Sequence, residues 1–313
     1  MDAYFNTGSA NFADSITPLV VKQVQATLRG GHPYTPKGSV IPGVLVPGSN
    51  GVFRAFAFGD LPEDGAVSIE DGQPDPTVET LDADFITFTG TAVARSVGAT
   101  DNAQARSPFA LRTVIADKLA ADIANQVDLT VSKLYKAATP ALFGGTSNST
   151  VGQVAAGDKM TASLLKDAVA LLRGMDVPTL ANGLYAFVAN PYIIRDLQAD
   201  DDYVEEIGKA DPKAFLNGQV AQYAGAAIIN AGSRGIVQTG QGTGSVDISI
   251  GTLIGADAVF AALGGLRILS ATGPDKSDPV DRRDVFSYKG FLGSVLNDLQ
   301  HYRFVNVAVA TSL

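Results

Sequence analysis

The spacing of apolar residues is most regular in the middle of the chain, where it predicts one long helix. Between residues 111 and 134, an Ile, Leu or Val recurs every three or four positions, which is the spacing of one helix face. Ser107 and Pro108 suit the N-cap and the first helical position, and Pro140 closes the segment. We therefore predict a helix over about residues 108–138, roughly 46 Å long at 1.5 Å per residue, with its apolar stripe in the core.

Alternating apolar and polar residues predict two long strands before this helix. Residues 51–61 (GVFRAFAFGDL) and 77–97 (TVETLDADFITFTGTAVARSV) alternate with the period of two that is typical of a strand. The turn-rich, acidic segment between them, PEDGAVSIEDGQPDP, predicts that the two strands form a long β-hairpin. A hairpin alone is marginally stable in water, so we expect it to pack on another surface.

Shorter elements are predicted after the long helix. Thr161 is suited to cap a helix that ends before Gly174, a residue suited to the first position beyond a helix. A strand at 184–189 precedes Asn190 and Pro191, which predict the start of another helix turn. Further strands are predicted between glycines and near the C-terminus: AAIIN, GIVQT, SVDISI, LRILSAT, VFSYKGFLGSVLND and YRFVNVAVATSL.

Composition narrows the class of protein. The chain has 313 residues, 46% of them hydrophobic and 18% charged, which fits a globular protein with a sizeable core. It contains no run of about 18 apolar residues and no signal-peptide pattern, so we expect neither a membrane span nor a cleaved leader. The absence of cysteine excludes disulfides and thiolate sites, and two distant histidines, His32 and His301, exclude a histidine-rich metal cage.

Charge separates the N-terminal region from the hairpin. The net charge of −9 argues against a general nucleic-acid binder. Residues 1–50 are rich in Gly, Pro and Ser and predict an extended arm without a core of its own. Residues 1–58 carry a net charge of +2, whereas residues 59–94 carry nine acidic and no basic residues. Such a block is either a solvated face or a surface that meets a basic partner. Candidate contacts are Asp60, Glu63, Asp64, Glu70, Asp71, Arg29, Lys37 and Arg54.

A second acidic cluster follows Pro191, in the stretch NPYIIRDLQADDDYVEE over residues 190–206. An EF-hand counted from Asp200 fails, because Val204 and Glu205 stand where a ligand and a glycine are required. Another cation site and a paired-carboxylate acid/base site stay open, but we expect a solvated loop after a capped helix.

Two other motifs are weak indications of chemistry. The glycines of TGQGTGSVDISI precede a predicted strand, whereas a dinucleotide-binding loop opens a helix. His301 has no nucleophile that can be assigned to it. No catalytic, cofactor-binding or metal-ligating residue is therefore assigned.

The order of the predicted parts resembles the major capsid proteins of tailed bacteriophages, which have the HK97-like fold. Three stretches carry the resemblance: residues 61–96, residues 187–232 and KSDPVDRRDVFSYKGFLGSVLND. The first looks like the family's extended loop, the second like the opening of its axial domain, and the third like the return to its peripheral domain. The resemblance implies an α+β chain with these parts: an N-terminal arm (1–50), an extended β-hairpin loop (51–98), a peripheral domain with the spine helix (99–183), an axial domain (184–285) and return strands of the peripheral domain (286–313).

The function implied by the resemblance is structural. Asp200, Asp201 and Asp202 would then lie at or near contacts between subunits. Many copies, as hexamers and pentamers, would build an icosahedral shell around phage double-stranded DNA, without sequence-specific binding, enzymatic activity, a cofactor or a membrane. Scaffold, portal and decoration proteins are further implied partners, and the chain would be made in the cytoplasm of the host bacterium and reside in the virion capsid. An encapsulin-type nanocompartment shell is the alternative within this fold, and a carboxylate-dependent hydrolase is the alternative from another class.

The resemblance also bears on covalent cross-linking. Some members of the family join subunits by a lysine–asparagine isopeptide bond whose lysine lies in the extended loop. Here Lys37 is followed next by Lys118, so the hairpin of residues 51–98 contains no amine donor for such a bond. We therefore expect subunits without this cross-link.

Overall fold

A computed structural model of the chain describes residues 32–49, 51–58, 83–100, 111–210, 222–271, 283–297 and 303–311. No helix within these ranges is both long and apolar enough to cross a bilayer. The described helices are α1 (Leu111–Ala137), α2 (Ala162–Gly174), α3 (Pro191–Gln198) and α4 (Asp201–Ala210). The described strands are β1 (Val40–Pro42), β2 (Val44–Leu45), β3 (Val52–Phe58), β4 (Ala83–Thr89), β5 (Thr91–Thr100), β6 (Leu142–Phe143), β7 (Tyr185–Ala189), β8 (Gln222–Tyr223), β9 (Ala226–Asn230), β10 (Ile236–Gln238), β11 (Ile248–Ile254), β12 (Val259–Ala271), β13 (Arg283–Leu296) and β14 (Phe304–Ala310).

The largest sheet is mixed and has helices on both faces. Its strand order is β6-β14-β11-β7-β9-β8, with β10 paired to β11. Every residue of β7, β11 and β14 is buried. One face packs on α2, α3 and the start of α4, and the other face packs on the C-terminal half of α1. Continuous apolar strands are typical of a sheet covered on both sides.

The second sheet, β1-β12-β13-β5, packs on the N-terminal half of α1. Ile115, Leu119 and Ile123 of the helix contact the cluster that contains Phe286 and Tyr288 of β13. The Tyr288 hydroxyl also donates a hydrogen bond to Asp122 on α1, with 2.6 Å between the oxygens. Burial, followed by this carboxylate, raises the pKa of Tyr288, so the hydroxyl keeps the proton that the bond requires.

Helix α1 therefore joins two cores, and its predicted apolar stripe is confirmed. Its first half lies against the four-stranded sheet, whereas Val131 and Tyr135 belong to the core of the seven-stranded sheet. Burying one such Leu, Ile or Val side chain contributes about 1.5–3 kcal/mol, so the stripe is a large part of what holds the sheets together. The predicted caps Ser107 and Pro108 lie outside the described residues.

The third sheet, β2-β3-β4, contains the base of the predicted hairpin. Strands β3 and β4 pair in antiparallel register, with Phe53 opposite Phe88 and their rings 5.5 Å apart. These rings face Phe260 of the second sheet, so the hairpin packs on another surface as expected. The predicted second strand is broken at Gly90, where a Cβ would lie 2.5 Å from the Phe53 ring, and β5 beyond it belongs to the four-stranded sheet.

Three elements pair or pack across the chain ranges that the resemblance implies, and those ranges stay a prediction. Strand β12 pairs with β13 in the four-stranded sheet, although its residues were grouped with 184–285. Strand β14 lies between β6 and β11 of the seven-stranded sheet, although both C-terminal strands were grouped as 286–313. Helix α2, grouped with 99–183, packs on the seven-stranded sheet. Chain order did not reveal these pairings because each joins segments that are distant in sequence.

The predicted arm is also corrected in part. Strand β1 pairs in parallel with β12, and Tyr34 and Thr35 are fully buried. Residues 32–45 therefore contribute β1 to the four-stranded sheet, β2 to the three-stranded sheet and Tyr34 to the core beneath. Their short apolar stretches pair with and pack on strands that come later in the chain. Residues 1–31 lie outside the described residues.

The end of α2 is set by Asp176, not by Gly174. Thr161 caps its start as predicted, accepting a hydrogen bond from the Leu164 backbone N–H. At the other end, Gly174 is still helical, and Asp176 has a left-handed backbone with φ of 52°. The N–H groups of Asp176 and Val177 then bond to the carbonyls of Arg173 and Leu172, which is the Schellman arrangement.

Candidate interaction surfaces

The acidic stretch after Pro191 forms two short helices. Asn190 caps α3 as predicted, because its side-chain oxygen accepts a hydrogen bond of 2.9 Å from the Ile193 N–H. The Asn190 amide also donates to Ser249 of β11, which ties the start of α3 to the buried sheet. The expected solvated loop at 200–206 is wrong, because residues 201–210 are helical. Acidic residues in the first turn of α4 complement the positive end of its helix dipole.

Asp200 connects the starts of two helices. Its Oδ1 accepts hydrogen bonds from the Asp202 and Tyr203 N–H groups at 3.0 and 3.4 Å, which is the capping position of α4. Its Oδ2 accepts a hydrogen bond of 3.1 Å from the Ala162 N–H in the first turn of α2. Two helix ends that are distant in sequence therefore share one carboxylate. The position of this side chain is explained by the fold of the chain itself.

The remaining acids of this stretch lie on the outside of the lobe. Asp201 and Asp202 are exposed, and Glu206 forms an ion pair with Lys166 of α2 at 2.7 Å. The hydrogen bond to Glu206 raises the pKa of Lys166. Among the described residues, no group of three or more His, Asp and Glu side chains is placed to hold a metal ion. These acids form a surface patch anchored by Asp200.

The base of the hairpin presents a second surface, the hairpin outer face, which consists of Val44, Arg54, Phe85 and Thr87. Arg54 of β3 lies opposite Val44 of β2 on one side and opposite Thr87 of β4 on the other, and Phe85 lies two residues from Thr87 along β4. Val44 is 65% exposed and Phe85 is 55% exposed. The Arg54 guanidinium lies 5.1 Å from the centre of the Phe85 ring. Exposed apolar side chains beside a cation on a paired sheet are typical of a protein–protein contact.

Two of the charged residues predicted to contact other subunits through the arm and hairpin lie within the described residues. Arg54 lies on the hairpin outer face, and Lys37 is exposed beside Leu180 at the edge of a shallow pocket. The two are therefore on the surface, as a contact role requires. The other predicted contacts lie outside the described residues: Arg29, Asp60, Glu63, Asp64, Glu70 and Asp71. Their role stays a prediction.

The glycine-rich stretch lies at a turn before a strand, as predicted. Gly240 and Gly244 have positive φ, and β11 follows at Ile248. The Gly240 N–H donates to Asp247, and the Gly242 N–H donates to the Val246 carbonyl, so the turn uses its backbone groups internally. His301 lies outside the described residues.

A buried polar network, which the sequence did not indicate, joins α1 to the start of the described chain. Asp128 is fully buried on α1 and accepts hydrogen bonds from the Tyr34 N–H at 2.9 Å and from Arg234 at 3.0 Å. The same Arg234 donates to Asn125 at 2.6 Å and lies 2.9 Å from His32 Nδ1. The one local signal was an acidic residue beside the buried positions of an amphipathic helix. Nothing local indicates that its partners are 94 and 106 residues away.

Comparison with known proteins shows the fold of this chain. No family model and no curated protein matches the sequence. The capsid protein of Ralstonia phage GP4 matches with 15% identity and a TM-score of 0.59, over 88% of this chain and 86% of its own. The cyanophage Pam1 capsid protein matches with 17% identity and a TM-score of 0.58, over 85% and 86%. An acid-stable capsid of Helicobacter pylori bacteriophage KHP30 matches with 15% identity and a TM-score of 0.58, over 90% of each chain.

The chain therefore has the fold of these phage capsid proteins. The α+β, HK97-like fold expected from the order of its parts is confirmed.

Proposed function

We propose that this chain is the major capsid protein of a tailed bacteriophage. Many copies, arranged as hexamers and pentamers, form an icosahedral shell that encloses double-stranded DNA. The observation that carries this proposal is a fold shared over nearly the full length with several phage capsid proteins. The function is structural and non-enzymatic, and the chain resides in the virion after synthesis in the host cytoplasm. The three structures described above are phage capsids, so an encapsulin-type shell is not favoured.

The two cores support a division of labour between a peripheral and an axial part. We assign the four-stranded sheet and the first half of α1 to the peripheral part, and the seven-stranded sheet with α2, α3 and α4 to the axial part. The C-terminal half of α1 links them, because its Val131 and Tyr135 lie in the second core. In the assembled shell, the acidic patch of Asp201 and Asp202 lies near contacts of the axial part.

The hairpin outer face supports contact between copies. Its Val44 and Phe85 are exposed, and an acidic segment with no basic residue connects β3 to β4. We propose that this segment of one copy, with Asp60, Glu63, Asp64, Glu70 and Asp71, meets the basic residues Arg29, Lys37 and Arg54 of another. Obligate interfaces bury about 2,000–5,000 Å², so the charged pairs set register and specificity while apolar contacts supply most of the affinity. Scaffold, portal and decoration proteins are the further partners.

Electron microscopy of the purified protein tests the proposal. Expression of the chain, alone and together with a scaffold protein from its own genome neighbourhood, should give closed shells of uniform diameter. The variant Phe85→Asp should reduce the yield of shells, because it places a charge on the hairpin outer face. The subunit should stay folded, because the ring is exposed in the isolated chain. Monodisperse monomers under all of these conditions would refute the proposal.

A further inference from the structure

The network around Arg234 defines the protonation state of His32. A guanidinium group has only N–H donors and keeps its charge, so it cannot accept a hydrogen bond. His32 Nδ1 lies 2.9 Å from Arg234 Nη1 and must therefore be the acceptor. An imidazole that accepts at Nδ1 is neutral and carries its proton on Nε2. The observed contact thus exists only with unprotonated His32.

The network also holds the segment that contains His32 and Tyr34. The Tyr34 N–H is bonded to Asp128 of α1, and the Tyr34 hydroxyl donates to the Arg234 carbonyl at 3.2 Å. His32 contacts the Arg234 side chain from the same segment. Arg234 belongs to the turn between β9 and β10, so the segment is clamped between the spine helix and the seven-stranded sheet.

Protonation of His32 changes the contact from attraction to repulsion. Nδ1 would then carry a hydrogen directed at another donor, and a second cation would lie beside the guanidinium. Asp128 on α1 faces both cations, and its attraction for a protonated His32 exceeds the repulsion from Arg234. The cost of protonation therefore comes first from burying the charge and from losing the Nδ1 acceptor that Arg234 uses, while both Asp128 oxygens already accept hydrogen bonds in the network. The hydroxyls of Tyr34 and Tyr135 face the same region and stay neutral, because burial raises their pKa.

We propose that His32, Arg234 and Asp128 form an acid-sensitive latch that holds the segment from His32 to Lys37 on the spine helix at neutral pH and releases it when His32 is protonated. Burial has the largest effect and lowers the pKa of His32, the Asp128 carboxylate opposes it, and the weaker effect of Arg234 lowers it again. A pKa lower in the latched state than in the released state means that the neutral form stabilises the latch. That stabilisation is present above the ordinary histidine pKa of about 6.5 and is lost as pH falls through the lower value of the latched state.

The latch lies within one chain and is independent of whether shells form. Its release leaves β1 paired with β12, because the Gly38 and Ser39 carbonyls still accept hydrogen bonds from the Asp257 and Val259 N–H groups, and Asp128 and Arg234 can remain paired while the His32 segment separates. The expected consequence is a local opening between β1 and α1, with the rest of the lobe still protected from solvent.

Hydrogen–deuterium exchange with peptide mass spectrometry at pH 7.5 and pH 5.0, corrected for the intrinsic exchange rates, tests the latch. Peptides over residues 32–39 should lose protection about tenfold or more at pH 5.0, the change expected for loss of a hydrogen bond to a charged group. Peptides over β14 should keep their protection and serve as the internal measure of an intact fold. Equal protection of residues 32–39 at both pH values would overturn the proposal.

Two variants separate His32 from other acid-sensitive groups. In His32→Asn, the side-chain oxygen can occupy the Nδ1 position and accept from Arg234 but takes up no proton, so residues 32–39 should stay protected at pH 5.0. In His301→Gln, His32 is the only histidine of the chain, and the acid response should persist. Loss of protection at pH 5.0 in His32→Asn with β14 intact, or no acid response in His301→Gln, would contradict the latch. If His32→Asn unfolds, the His301→Gln profile alone decides, because its midpoint must then lie below the ordinary histidine pKa.

Discussion

Replacement of Asp200 by alanine should destabilise the subunit far more than loss of a surface carboxylate normally does. Asp200 accepts N–H groups from both α2 and α4, at 3.1 Å from Ala162 and at 3.0 Å from Asp202. Loss of a capping side chain costs about 0.5–2 kcal/mol. The bond to the first turn of α2 adds about 1 kcal/mol. The free energy of unfolding should therefore fall by about 2 kcal/mol, a large part of a typical 5–15 kcal/mol.

The matched control is the neighbouring Asp201→Ala, which removes the same charge at the next position. Asp201 is exposed in the first turn of α4, so it contributes through the helix dipole, about 0.3–1 kcal/mol. The variant Asp200→Asn should be intermediate, because one amide oxygen can cap α4 but the second acceptor for Ala162 is lost. The three variants therefore separate the charge effect from the two hydrogen-bonding effects.

Urea unfolding of the unassembled subunit, followed by far-UV circular dichroism and tyrosine fluorescence, measures these differences. The chain contains nine tyrosines and no tryptophan, so tyrosine is the fluorescent reporter. The unfolding midpoint should fall in the order parent, Asp201→Ala, Asp200→Asn, Asp200→Ala, with an unchanged slope. Equal midpoints for Asp200→Ala and Asp201→Ala would refute the shared cap, because the two would then differ by nothing beyond surface charge.

The other predictions concern assembly. Phe85→Asp should leave the thermal unfolding of the subunit within about 0.5 kcal/mol of the parent, because Phe85 is exposed, but should reduce shell yield in light scattering. Normal assembly of this variant would remove the hairpin outer face from the interface. Neutralising five acids of the hairpin should alter assembly and its dependence on salt while sparing the subunit fold, since exposed pairs contribute about 0–1 kcal/mol each. The five substitutions are Asp60→Asn, Glu63→Gln, Asp64→Asn, Glu70→Gln and Asp71→Asn. Parent-like assembly at every ionic strength would mean that these acids are only a solvated face. Denatured particles should run as one band near 32.4 kDa, because the hairpin lacks a lysine for the cross-link, and a ladder of covalent oligomers would contradict this prediction.

Features set by neighbours in sequence were predictable. The apolar stripe of α1 appears every three or four residues, and the caps Thr161 and Asn190 act on N–H groups within three residues. The alternation in β3 and β4 likewise places Phe53 and Phe88 on one face. Each of these elements is stabilised in part by contacts that the local sequence already contains, and this is why its type could be predicted. The order of the elements then resembled that of a known capsid family, which indicated the fold.

Features set by distant contacts required the tertiary structure. The sequence does not reveal that β14 lies beside β11, that Asp200 accepts the Ala162 N–H 38 residues earlier, or that Asp128 binds Arg234 across 106 residues. Such contacts depend on which surfaces the packed core brings together. A carboxylate with no partner nearby in sequence is expected to be solvated, and only the folded structure shows the distant groups that bind it. The sequence by itself determined the elements and their order, whereas the tertiary structure decided strand pairing, the double cap and the latch, because burial and hydrogen bonding there come from residues distant along the chain.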